Sequence, residues 1–235
     1  MSLFHPINLV CPNCQAAVQM DAVGSVNADR RPDLREAIMD DSFQDVPCPS
    51  CEESFRLQPQ FNYLDAGRRQ WIAAFPAARL PDYIEAEHEV AAIFADSYGE
   101  NAPEAARAVG DDLDVRLTFG WPAVREKLLA REHDLDDVVL ELLKLDLLRR
   151  LPSSPMAVGI ELRLMLASDA FLTFVWMNSA TEGAIEEISV PIEHYAAIAD
   201  NLTPWEKLRS RFANKTFVDM QRLYMGEAEE SAIAS

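Results

Sequence analysis

The chain has 235 residues, with 21 Lys and Arg against 39 Asp and Glu and a formal charge of -18. It is long enough to bury a core without covalent staples. The charge argues against nucleic acid as a partner, because phosphate binding needs clustered Lys and Arg that release counterions.

At the N-terminus, Met1-Ser2-Leu3-Phe4-His5-Pro6 has neither the basic start nor the long apolar core of a secretory signal. No run elsewhere approaches the roughly 18 apolar residues of a membrane span, so a cytoplasmic location away from membranes is expected. Phe4 to Val10 reads as a strand entering a tight turn, Cys11-Pro12-Asn13-Cys14, and Gln15 to Asp21 as a strand leaving it, with Val18 and Met20 on one face. Pro32-Asp33-Leu34-Arg35-Glu36-Ala37-Ile38-Met39 has a Pro start, acids in its first turn, and Leu34 and Ile38 four apart, the marks of a short helix. Phe43 to Pro47 then enters a second turn, Cys48-Pro49-Ser50-Cys51, followed by Phe55 and Leu57 on the exit strand.

The two turns use all four cysteines. Two thiolates separated by two residues grip one tetrahedral ion from a single turn, and two such turns complete a Cys₄ shell. Proline fixes φ and leaves the following amides free to point at sulfur. Cys11, Cys14, Cys48 and Cys51 are therefore expected to hold one Zn²⁺ per chain, with iron as the other metal such a shell accepts. A thiol-redox site is the competing reading. It calls for a helix beginning at the first cysteine, whose dipole lowers the thiol pKa, where this sequence places a strand. Turns of this kind favour Gly after the second cysteine, where φ is positive. Here Gln15 and Glu52 stand, at about 1 kcal/mol of strain each.

Further along, Asn62 to Phe75 reads as a hairpin turning at Asp65-Ala66-Gly67, with Trp71, Ala73 and Phe75 on one face. Pro81 to Tyr98 reads as a helix that buries Ile84, Val90-Ala91 and Ile93-Phe94, and Asn101 to Gly110 as a weaker one. Asp112 to Phe119 alternates strictly, which predicts a half-exposed strand. A helix follows from Pro122, and another from the acidic start at Asp134 to about Leu151. The latter carries leucines on more than one face, as a core helix does, or else an oligomer contact. Pro152-Ser153-Ser154-Pro155 reads as a linker. Beyond it, Gly159 to Leu166, Phe171 to Met177 and Ile185 to Val190 read as a three-stranded meander, Pro191 to Asp200 as a helix, and Thr203-Pro204-Trp205-Glu206 as a capping-box start. Thr216 to Tyr224 fits either helix or strand, and the acidic tail from Glu227 reads as disordered.

The two CPxC turns, Ser25-Val26-Asn27-Ala28 with the helix between the turns, Val115 to Gly120, and Leu135 to Lys144 together resemble the bacterial CpXC domain family. The resemblance covers roughly the first two thirds of the chain and implies a zinc-ribbon-like fold, with no assigned activity. The fold class expected is α+β: an N-terminal Cys₄ zinc ribbon with an inserted short helix, joined to a mixed helical and antiparallel-sheet body. The divisions expected are a ribbon over 1–80, a helical part over 81–151, a meander with helices over 152–226, and a tail over 227–235.

No catalytic motif accompanies the cysteines. His5, His88, His133 and His194 are scattered, and Ala92 stands where a second histidine would be needed after His88-Glu89 to make a helical two-His zinc site. Gly is scarce at 8 residues, with no phosphate-cradling loop and no nucleophile elbow. Glu85-Ala86-Glu87-His88-Glu89 reads as a solvated acidic face. The function expected is a zinc-binding, non-catalytic interaction module. Its acidic surface suits a basic protein partner, self-association is an alternative contact, and a thiol-redox or other enzyme is the alternative function.

Overall fold

The computed structural model describes residues 2–151, 155 and 157–226. The expected linker lies outside the described residues apart from Pro155, and so does the tail from Glu227. In chain order the elements are β1 (Leu3–Val10), β2 (Ala17–Asn27), α1 (Pro32–Met39), β3 (Asp45–Pro47), β4 (Ser54–Arg56), β5 (Phe61–Asp65), β6 (Gln70–Phe75), α2 (Tyr83–Ser97), α3 (Glu104–Gly110) and β7 (Asp114–Phe119). There follow α4 (Trp121–Glu132), α5 (Asp137–Arg150), β8 (Ile160–Ala167), β9 (Phe171–Asn178), β10 (Ala184–Pro191), α6 (Ile192–Asp200), α7 (Glu206–Arg209) and α8 (Gln221–Met225). The fold is α+β. Two compact units form, one from 1–77 with 90–121, the other from 78–89 with the described residues after 121.

The first unit is built on a five-stranded sheet of order β1-β2-β5-β6-β7. The β1–β2 hairpin is antiparallel, with Val10 opposite Ala17 at its tip. Cys11 N–H donates to the Ala16 carbonyl, so the odd-numbered residues of β1 bond β2 and Pro6 falls on the outer edge. Its missing N–H costs nothing there and denies an added strand a donor. Two pairings of this sheet are parallel, which the expected hairpins did not include: β2 with β5 through Ser25–Asn27, and β6 with β7 along its whole length. The parallel pairing follows from the helical crossover between β6 and β7. It also overturns the half-exposed reading of β7, where Leu117, Thr118 and Phe119 are buried in succession, as strands covered on both faces are.

The separate β3–β4 hairpin is fixed by an aromatic cluster. The Phe43, Phe61 and Trp121 rings lie 5.4–5.7 Å apart, the Trp121 indole N–H donates to the Leu57 carbonyl at 2.8 Å, and the Arg56 guanidinium sits 4.0 Å over the Trp121 ring. Asp29 accepts from the amides of Ala66 and Gly67 and so closes the β5–β6 turn. In α2, Tyr83, Ala86 and Val90 are the buried positions, whereas Ala91, expected inside, is exposed.

The second unit carries the expected meander, an antiparallel sheet of order β10-β9-β8. Its apolar core joins Leu140, Leu143 and Leu147 of α5 to Leu162, Leu164, Phe174 and Trp176 of the sheet, so α5 is a core helix. Asp136 caps α5, its Oδ1 accepting from the amides of Val138 and Val139; such a cap contributes about 1 kcal/mol. No capping box forms at Thr203, because a 3₁₀ turn begins there without a side-chain cap and α7 starts only at Glu206. Thr216 to Tyr224 resolves into loop and the short helix α8.

This unit also has an ionic interior. The Lys144 ammonium, fully buried, contacts Glu126 at 2.7 Å and Glu141 at 2.8 Å. Removing the charge of such a group leaves carboxylates buried without their counterion. Lys144→Met is therefore expected to destabilise the second unit by about 3–5 kcal/mol, read as a lowered denaturant midpoint; a loss below about 1 kcal/mol would place the cluster outside the folded core.

Candidate metal centre

The turn after β1 and the turn after β3 are built alike. In the first, the Cys11 N–H donates to the Ala16 carbonyl and the Gln15 N–H to the Cys11 carbonyl, both at 2.9 Å; in the second, the Cys48 N–H donates to the Glu53 carbonyl at 3.0 Å and the Glu52 N–H to the Cys48 carbonyl at 2.9 Å. These bonds close a loop that leaves both sulfurs of each turn on one side. The expected departure from Gly is met directly: Gln15 and Glu52 both have φ 63°, a left-handed conformation in which a side chain costs about 1 kcal/mol.

The two hairpin tips meet. The sulfurs of Cys11, Cys14, Cys48 and Cys51 all lie within 4.8 Å of one another, with Cys11 to Cys51 at 3.8 Å and Cys14 to Cys48 at 3.6 Å. Those separations are far from the roughly 2.05 Å of a disulfide. They match the edge of a tetrahedron whose centre is about 2.3 Å from each sulfur, which is about 3.8 Å. The donor set is all sulfur, the geometry closed, and the fit to a thiophilic divalent ion is good. Cys11 and Cys48, the first cysteine of each turn, are buried, while Cys14 is exposed. Beneath them Val18 and Val46 form a small apolar floor, with Met20, Phe55 and Leu57 packed against it.

The electrostatics of the sulfurs are uneven. The amides of Ser50 and Cys51 point at Cys48 and lower its thiol to about 6, and the Ser50 N–H lies 3.4 Å from the sulfur. At Cys14 the amide of Ala16 pulls down, but desolvation and hydrogen bonds with the sulfurs of Cys48, Cys51 and Cys11 push the thiol up to about 12. Cys48 is thus held as thiolate more readily than Cys14, and a cation bound here would displace protons from the sulfurs.

One contact escapes sequence reasoning: the Asn13 side-chain amide of the first turn points at the Cys51 sulfur of the second, at 3.6 Å. Its only signal is a donor side chain inside a CPxC turn. Among the described residues no histidine joins the cysteines, and His5, His88, His133 and His194 are all exposed. The acidic stretch on α2 is only partly a solvated face. Glu85 and Glu89 are exposed, but Glu87 accepts from the amides of Thr216 at 3.2 Å and Phe217 at 3.0 Å and from Arg222 at 2.9 Å. Despite its partial burial, those donors hold Glu87 below the usual carboxylate range.

Two hairpins that bring four thiols to one point define a Cys₄ ribbon able to bind a metal ion. The sequence model of the CpXC protein family matches residues 9–144, more than half of the chain and all four cysteines, and the chain belongs to that family. No curated protein and no solved structure matches the chain.

Gln15→Gly and Glu52→Gly test the strain at the two turns. Each is expected to raise stability by about 0.5–1 kcal/mol and to tighten metal binding. Chelator competition and thermal unfolding read both effects, and loss of stability in both variants would show that the positive φ carries no strain.

Proposed function

We propose that the chain is a zinc-binding, non-catalytic protein whose Cys₄ centre supports a protein-interaction module. The observation that carries this reading is the convergence of four sulfurs with 3.6 and 3.8 Å edges, a closed shell that leaves no coordination position for substrate. Zinc is the proposed ion and one per chain the proposed stoichiometry, since the four cysteines form one group. The charge of -18 supports a basic protein partner and opposes nucleic acid. A cytosolic setting suits thiols kept for metal. Among the described residues no helix is long and apolar enough to cross a membrane.

A thiol-redox role is the second reading, favoured by the lowered Cys48 thiol, at about 6, beside the exposed Cys14. Single Ser variants separate the two. With a structural metal, Cys11→Ser and Cys48→Ser each lose the ion and open the N-terminal hairpins to protease, because hairpins this short do not fold alone and metal binding is linked to folding; the region after Pro155 keeps its protease resistance. With a redox pair, the four Ser variants stay folded and differ in thiol labelling. That second pattern would overturn the structural-metal reading.

Nucleic acid gives a further check. At physiological salt the protein is expected to retain neither duplex nor single strand in a filter-binding assay. Binding that weakens steeply with added salt would reveal a basic groove and contradict the charge argument.

A further inference from the structure

The ionic interior of the second unit is not balanced. Its contacts run in a chain. Glu141 Oε1 accepts from Lys144, Lys144 also donates to Glu126 Oε1, Arg163 reaches the same Glu126 oxygen at 3.2 Å, and Arg163 further binds Asp219 and, at 3.0 and 2.6 Å, Glu161. Glu126, Glu141, Glu161 and Asp219 are all buried, as are Lys144 and Arg163, so four carboxylates share two cations. The nearby cations are engaged with other carboxylates: Lys127 with Asp137 at 2.9 Å, Arg222 with Glu87 at 2.9 Å, and Arg125 with Glu182 at 3.7 Å.

The carboxylates are not equally served. Glu126 has both cations and the Leu164 amide at 2.6 Å. Glu161 has Arg163 and the Gln221 side-chain amide at 3.2 Å, and Asp219 has Arg163 and the Gln221 backbone N–H at 2.9 Å. Glu141 has the Lys144 that it shares with Glu126 and the Met220 amide, each at 2.8 Å, and among the described residues it is the one carboxylate of the four that Arg163 does not reach. A buried charge without a full partner neutralises by keeping its proton.

We propose that this cluster is a proton-binding site holding one titratable proton on Glu141, and that loss of the proton loosens the joint between α4, α5, β8 and the 218–221 segment. The charged groups facing Glu141 are Lys144 on its own helix, Glu126 and Lys127 on α4, and Asp219 ahead of α8, with Glu161 and Arg163 of β8 one contact further along. Burial, with the Asp219 and Glu126 charges, pushes Glu141 up to about 7 against the pull of Lys144 and Lys127. Burial also opposes ionisation of Glu126 and Asp219, yet Lys144 and Arg163 hold both below the usual carboxylate range. The sign follows. A carboxyl that binds its proton more tightly when folded contributes stability that is full below the ordinary Glu range and is lost as pH rises through about 7.

The test is a ¹³C-carboxyl NMR titration of the full chain from mildly acidic to alkaline pH. One Glu resonance is expected to titrate with a midpoint near 7, to vanish in Glu141→Gln, and to move to lower pH in Asp219→Asn, which removes one negative charge from the cluster. Both variants place an amide NH₂ among donors and can fail to fold. The unaltered protein then decides: the infrared C=O band of a protonated, hydrogen-exchange-protected carboxylic acid should be present at mildly acidic pH and gone in mild alkali. Absence of that band, or every Glu resonance titrating in the ordinary carboxylate range, would overturn the proposal.

Discussion

Four sulfurs held within 4.8 Å of one another are the constraint on which the N-terminal part of the structure depends. Ionised together they repel, and protonated together they form only weak S–H contacts, so the arrangement is one that a cation at its centre would stabilise. The hairpins that deliver the sulfurs are poor folding units. β3 and β4 have three residues each, and the floor under the cysteines consists of two fully buried apolar side chains with a few partly covered neighbours. An isolated hairpin of that size is marginal at best. The Phe43–Phe61–Trp121 cluster, the Trp121 bond to Leu57 and the stacked Arg56 hold the second hairpin in position from its base, which lowers the entropy that metal binding must overcome at the tip.

The second unit solves a different problem. A chain with 39 acidic residues against 21 basic ones places some of its carboxylates inside, where each needs a counterion or a proton. Glu126 serves as the joint: one oxygen takes Lys144 and Arg163, and the other takes the Leu164 amide, satisfying a backbone donor on β8. The residues of this joint come from both sides of the family boundary, since Glu126, Glu141 and Lys144 lie within 9–144 and Glu161, Arg163 and Asp219 beyond it. The C-terminal meander is therefore part of the interior that buries the last helix of the family region.

What could be read from the sequence followed from local rules. Paired CPxC turns announce a shared ion because cysteine spacing within a turn dictates where the sulfurs point, and the alternation around them gives the hairpins. The positive φ at Gln15 and Glu52 was legible for the same reason, since the turn requires it whatever residue stands there. The β8–β10 meander and the α1 and α5 helices show their period or their caps directly. The parallel pairing of β6 with β7 did not show, because alternation in one strand does not reveal its partner or which faces are covered. Thr203 and Glu206 have capping-box spacing, but Pro204 leads into a 3₁₀ turn and the box does not close. The ionic cluster was the largest omission. Its signals were charges in apolar surroundings, Arg163 amid Ile160, Leu162 and Leu164, and Lys144 amid leucines, but six residues from four segments become one site only in three dimensions.

X-ray absorption at the metal edge of the purified protein would read whether the four cysteines form one metal-thiolate centre. Zinc with four sulfur neighbours at about 2.3 Å, and no nitrogen or oxygen bound to it, is the expected result. A protein without metal whose sulfur spectrum shows disulfides, or a metal bound through mixed sulfur and nitrogen ligands, would contradict it.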